Sequence, residues 1–251
     1  MVDRGPRWLR HPELLVPVLC AALLLAITLR WSLSPGWRRH EEHDRLVRLL
    51  RSWPHPEHSR LLHALTFFGQ WWLLVLVAMV SAGILVAAGA RYRALLFAAS
   101  AAVVLAAVLA GKLTLVHSSA IHSFGLRLGG FPSGHTADST VLFGVGVLAW
   151  SPRRAAWAGL GVGAVAGAAV GWSRYALGLH TTAEVAGGWL LGMLVLSLAT
   201  VCVVRTETGR TPPTSEPDAQ QRVDQVPYQA RRTGVPPSVA GSLVNPAVDR
   251  P

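Results

Sequence analysis

Residues 94–116 read ALLFAASAAVVLAAVLAGKLTLV, with a single charge, at Lys112. A helix of about 20 apolar residues matches the roughly 30 Å hydrocarbon thickness of a bilayer, so the stretch reads as a membrane span. Arg91 and Arg93 stand just before it, and five more apolar runs lie outward on either side, at 14–33, 62–88, 136–150, 155–172 and 183–204. The run at 136–150 is short, but a helix begun near Ser133 and carried to Trp150 has a workable length. The expected architecture is all-α, a six-span transmembrane bundle. Composition agrees: the 251 residues are 51% hydrophobic and 14% charged, with a mean hydropathy of +0.39, whereas about a quarter of a soluble domain is charged.

The net charge of +10 invites a nucleic-acid reading, which the placement of the charges excludes. Basic residues fall at the edges of apolar runs and form no phosphate-backbone footprint, so no nucleic-acid partner is expected. Arg4, Arg7 and Arg10, then Arg91 and Arg93, then Arg153 and Arg154, then Arg205 and Arg210 flank the spans on one side. By the positive-inside rule that side is cytoplasmic, in a multi-pass protein of the cell membrane. Residues 34–61, 117–135 and 173–182 then lie on the extracytoplasmic face. The 34–61 loop is rich in Arg, but Glu41, Glu42, Asp44 and Glu57 are interleaved, and Leu46, Leu49, Leu50 and Trp53 recur at helical spacing. An interfacial amphipathic helix is predicted there.

Three regions follow: 1–60, a first span and interfacial loop; 61–204, a core of transmembrane helices; and 205–251, a disordered cytoplasmic tail rich in Pro, Thr and Gln. Although Arg4, Arg7 and Arg10 resemble the start of a signal peptide, the run after them lacks a clear small-residue cleavage site and is read as retained. Cys20 and Cys202 lie in apolar runs far from metal-ligating neighbours, and both are expected in the core.

Ionisable groups at membrane depth are costly, which makes the few that persist functional candidates. Lys112, the only lysine, ends the third span; Arg127, His135, Arg174, His180 and Glu184 fall at outer ends or outer loops. Cations and histidines gathered at one level with few acids predict an anion, and a lipid phosphate partner in the bilayer is the obvious one. Phe131-Pro132-Ser133-Gly134-His135 places small residues ahead of a helix whose free N–H groups suit an anion, with the Ser133 hydroxyl beside them. Glu184 follows His180 by four residues; on a shared helical face its carboxylate would hold the imidazole Nδ1 and leave Nε2 bare for attack. Asp138 is read as a first-turn helix residue favoured by the dipole. Trp71, Trp72, Trp172 and Trp189 are read as an interfacial belt. His117 and His122 have no fixed spacing with His135, and neither a metal nor another cofactor is expected.

These residues resemble the type 2 phosphatidic acid phosphatases, a family similar in its core to acid phosphatases and vanadium haloperoxidases. Pro-Ser-Gly-His is whole at 132–135, and Ser-Arg, five residues, His, three residues, Asp matches 173–184 with Glu184 in place of Asp. Of Lys, six residues, Arg-Pro, only Lys112 is present; Ser119 and Ala120 occupy the other two positions. The resemblance covers about 60–204 and implies metal-independent hydrolysis of a lipid phosphate. His180 would be the nucleophile, Glu184 its orienter, and His135 the acid for the leaving oxygen. Lys112, Ser133, Gly134 and Arg174 would hold the phosphate oxygens. Arg127, eight residues before His135, is expected to replace the missing arginine. The departures at Ser119, Ala120 and Glu184 leave a second reading, a non-catalytic lipid-phosphate binding member of the family.

Overall fold

The computed structural model describes residues 12–52, 56–115, 130–151 and 156–208. Among them are eight α-helices and no strand: α1 (Leu15–Leu33), α2 (Pro35–Ser52), α3 (Pro56–Phe67), α4 (Trp71–Ala87), α5 (Arg91–Thr114), α6 (Gly134–Trp150), α7 (Ala156–Ala176) and α8 (Thr182–Thr208). The tail beyond Thr208 and the loop carrying His117, Ser119, Ala120, His122 and Arg127 lie outside the described residues.

Four helices, α1, α5, α7 and α8, are long and apolar enough to cross a membrane. The run expected as one span over 62–88 is instead two helices, α3 and α4, whose apolar parts meet at a 44° bend; counted together they make a fifth candidate. Close backbone approach explains the bend. A Cβ on Gly69, at the break, would lie 2.5 Å from the carbonyl oxygen of His135. The break lets α3 pack on α7, with Thr66 Oγ1 2.8 Å from Ser173 Oγ, while α4 packs on α5. The remaining expected span, α6, is a 17-residue helix, at the lower end of spanning lengths.

α6 is the axis of the bundle. Twelve of its residues are buried, and its neighbours approach through small residues. Gly159, Gly163, Gly167 and Gly171 form a stripe at four-residue intervals along α7, and side chains there would strike Gly144, Thr140 or Thr136 of α6. Gly188 and Gly192 do the same from α8, against the Ser133 carbonyl and Thr140. Where lipid and side chains are equally apolar, association depends on such close packing. The hydroxyls of Ser139 and Thr140 are buried and donate to the Thr136 carbonyl at 3.1 and 2.8 Å, as buried polar groups must. At the other end, Arg93 Nη1 donates to the carbonyls of Ala149 and Ser151, supplying a cation where the α6 carbonyls lack helical partners.

One smaller expectation changes: Cys20 is buried but Cys202 is exposed. Trp71, Trp72 and Trp172 are exposed, and the Trp189 indole donates a 2.9 Å bond to the Ala164 carbonyl.

Replacing Gly188 by Ala is expected to destabilise the bundle by about 1–3 kcal/mol, the usual cost of overpacking. Gly161→Ala, at a position with open space around it, should be neutral or slightly stabilising, since Ala favours helix. Thermal unfolding in detergent measures both; equal stability of the two variants would contradict the packing described.

Candidate active site

The start of α6 is held by its neighbours before it holds anything itself. Phe131 stacks on Trp31 of α1, with centroids 5.6 Å apart, and Ser133 N–H donates to the Glu184 carbonyl at 2.9 Å. Ser133 is the N-cap, in extended backbone, but its side chain makes no cap bond to the helix; its Oγ accepts from Thr136 Oγ1 at 3.1 Å. The first-turn N–H groups of α6 therefore remain available, and such groups with the helix dipole behind them bind anions. Gly134 is closely packed: a Cβ there would sit 3.2 Å from Val108 and 3.8 Å from both Lys112 Nζ and Asp138 Oδ2. Lys112 is thus beside the helix start, as expected.

His180 lies between two helix caps. α7 ends with Gly178 at φ +65°, a left-handed position suited to glycine. Gly178 N–H bonds the Tyr175 carbonyl at 3.0 Å and Leu179 N–H bonds the Arg174 carbonyl at 3.0 Å, the paired bonds of a Schellman cap. His180 N–H bonds that same Arg174 carbonyl at 3.3 Å. Two residues on, α8 opens with a capping box: Glu184 N–H donates to Thr181 Oγ1 at 3.2 Å, and Glu184 Oε2 accepts from Thr181 N–H at 3.0 Å. The same Oε2 lies 2.8 Å from His180 Nδ1, and Oε1 accepts from Gly130 N–H at 2.7 Å. His180 therefore stands just outside α8, so the pair does not share a helical face as the four-residue spacing suggested. A carboxylate in the first turn reaches back past the N-cap and meets the ring there.

Both residues are 3% exposed. Burial pushes the His180 imidazole below its ordinary value; the Glu184 hydrogen bond and charge oppose this, and Arg174 and Lys112 add to it. Nδ1 bound to a carboxylate is Nδ1–H, which leaves the Nε2 lone pair free.

The remaining expected residues converge on the same end of the bundle. Arg174 closes α7, and its buried Nε has no hydrogen-bond partner among the described residues. Lys112 at the end of α5 lies beside Gly134, Ser133 N–H reaches the Glu184 carbonyl, and Gly171 near the end of α7 packs against Thr136 and Val185, so the ends of α5 and α7 and the starts of α6 and α8 meet at one place. Arg127 lies outside the described residues. Asp138 was expected in the first turn of α6, but it sits beyond that turn, 3% exposed, and Oδ1 has no partner. Its burial beside Lys112 depends on tertiary packing and has no local signature. Among the described residues no three His, Cys, Asp or Glu side chains cluster as metal ligands do.

Next to the His180 loop, a groove of about 430 Å³ runs between α7 and α8, lined by Gly167, Gly171, Trp172, Tyr175, Thr182 and Trp189 among others. Its walls are mostly apolar and it reaches Thr182, two residues from His180.

The family model of the PAP2 superfamily matches residues 71–207. The chain belongs to the PAP2 superfamily. All the described motif residues, from Lys112 to Glu184, fall within the matched segment. Among solved structures, a transmembrane PAP2-type phosphatidylglycerolphosphate phosphatase from Bacillus subtilis is similar, with a TM-score of 0.56 and 19% identity, over 78% of this chain and 98% of that one. At that identity the likeness speaks for the fold. No curated protein matches the chain. Superfamily membership and the apolar helices together support a membrane-embedded phosphatase of lipid phosphates in general.

Because Glu184 raises the proton affinity of His180, Glu184→Gln should let the ring stay neutral to lower pH. The acid limb of kcat/KM in this variant is expected to move downward while the plateau falls by up to about ten-thousandfold, as when a tautomer-setting carboxylate is lost. A pH–rate profile of both proteins checks this; an acid limb displaced upward would contradict it.

Proposed function

We propose that this PAP2-superfamily protein is an integral membrane lipid phosphatase that hydrolyses a phosphomonoester or diphosphate lipid through a phosphohistidine on His180. The observation that carries the reading is the 2.8 Å contact of His180 Nδ1 with a Glu184 carboxylate itself held by two backbone N–H groups. That arrangement fixes the tautomer and the ring direction, which is what a histidine nucleophile requires. Phosphoryl transfer needs little else beyond positioning and charge stabilisation.

His180 Nε2 attacks phosphorus as the bond to the lipid oxygen breaks, and His135 donates the proton that the departing oxygen takes up. Water then attacks the phosphohistidine, returning its proton to His135 and releasing inorganic phosphate and neutral His180. Lys112, Arg174, the Ser133 hydroxyl and the Gly134 N–H stabilise the phosphoryl oxygens, and no metal enters. Arg127 supplies the cation that Ser119 does not. The α7–α8 groove beside the His180 loop suits a hydrocarbon chain, which favours a lipid over a soluble phosphate ester. Polyprenyl diphosphate, phosphatidate and phosphatidylglycerol phosphate are the candidate substrates; the last is the one named for the similar Bacillus subtilis protein.

Six crossings are proposed, with α6 as the short one and α3–α4 as one broken crossing. Arg91, Arg93 and Arg205 then lie at the cytoplasmic side, and the motif residues at the extracytoplasmic face of the cell membrane.

Purified protein in detergent and chelator is expected to release phosphate from at least one lipid of a panel holding the three substrates above. His180→Ala should abolish release, and Lys112→Ala and Arg127→Ala should each lower it about a hundredfold or more, as for loss of a transition-state donor. Release that survives His180→Ala would overturn the mechanism. No release from any lipid, with lipid phosphate still bound, would favour the non-catalytic binding role. Full activity in Arg127→Ala would remove that residue from the site.

A further inference from the structure

A helix stands in the 34–61 loop as expected, α2, and part of its polar face is turned inward. Glu41, Arg45 and Arg48, spaced four and three residues apart, share one face of that helix. Glu41 Oε2 accepts from Thr182 N–H at 3.0 Å and from Ala183 N–H at 3.4 Å. Arg48 Nε donates to the Tyr175 carbonyl at 3.3 Å, and its guanidinium lies 3.9 Å over the Tyr175 ring. Arg45, between them in sequence, is buried. A carboxylate thus meets the positive start of α8 and a guanidinium meets the negative end of α7, each in the sense the helix dipole favours. Between those two helix ends lies the loop that holds His180.

The same contacts bear on which helix start can take the substrate. At α8, Thr181 and Glu184 N–H are used by the capping box, and Thr182 and Ala183 N–H by Glu41. That start is filled. At α6, Ser133 gives no side-chain cap, so its first-turn donors stay available for phosphate. One carboxylate closes the competing anion site and fixes the helix from which Glu184 reaches His180.

We infer that α2 is a strap that sets the nucleophile, with Glu41 and Arg48 as positioning residues that touch no substrate atom and act through the ends of α8 and α7. This rests on the lipid phosphatase reading for its kinetic test and on geometry alone for its structural one. A displacement of about 1 Å in a reacting group can cost a hundredfold in rate, and losing either tie should displace the loop by less than that. Glu41→Gln and Arg48→Gln are therefore expected to lower kcat about tenfold, with KM changed less than about threefold. Asp44→Asn, a charge change in the same helix away from these contacts, should behave as wild type. Arg48→Lys, which keeps the charge at the helix end, should recover part of the loss.

Hydrogen exchange on the full chain in detergent gives a readout that needs no turnover. Amides of 177–185 should exchange faster in Glu41→Gln and Arg48→Gln, with 133–140 unchanged. Wild-type kcat together with wild-type exchange over 177–185 in both variants would overturn the strap. A rise in exchange spread evenly over the bundle would also overturn it, since that is general loosening. Should the wild type release no phosphate from any lipid, the functional reading fails, and the exchange pattern still decides whether α2 holds the loop.

Discussion

The hydrogen bond between His180 Nδ1 and Glu184 Oε2 is the contact on which the site depends. A lone buried imidazole can turn about its side-chain bonds and take either tautomer; one held at 2.8 Å by a carboxylate has its proton and direction assigned. Glu184 can do this because it is itself fixed by the Thr181 and Gly130 N–H groups. The longer side chain at a position where the superfamily resemblance leads one to expect Asp is accommodated by the capping box, in which a Glu at the third helical position folds back toward the cap. Glu184 therefore serves both the helix and the His180 ring.

The rest of the bundle brings other groups to that pair. α6 is packed so closely by glycines of α7 and α8 that its start and the His180 loop have little freedom relative to each other. The Ser133 N–H bond to the Glu184 carbonyl joins the two helix starts by backbone alone, independent of side-chain identity. Lys112 arrives at the end of α5 and Arg174 at the end of α7. The buried Nε of Arg174 has no hydrogen-bond partner among the described residues, and a buried polar group left open in this way suits an anion from outside. α2 gives up part of its polar face to the same end of the molecule.

Much of this could be read in the chain before folding. The apolar runs marked the helices, and Pro132-Ser133-Gly134-His135 with Ser173-Arg174 and His180 marked the residues that meet. Spacing alone misled at His180 and Glu184: four residues suggest a shared helical face, yet Gly178 and the Thr181-to-Glu184 capping pattern were in the sequence and point to a helix that starts after His180. The break between α3 and α4 was hidden because Phe67 to Trp71 stay largely apolar, and only the approach of Gly69 to His135 reveals it. Asp138 and the inward side of α2 depend on contacts between distant segments, which local pattern cannot carry. Arg48 meets Tyr175 across 127 residues.

In the proposed mechanism one nitrogen of one histidine takes the phosphoryl group. Rapid acid-free quenching of the protein during turnover of a phosphorus-labelled lipid, followed by peptide mapping and assignment of the phosphohistidine isomer, tests it directly. Label is expected on His180, at Nε2, appearing and decaying at rates that match turnover. Label on His135, label at Nδ1 of His180, or steady turnover with no phosphorylated histidine at any time would contradict it.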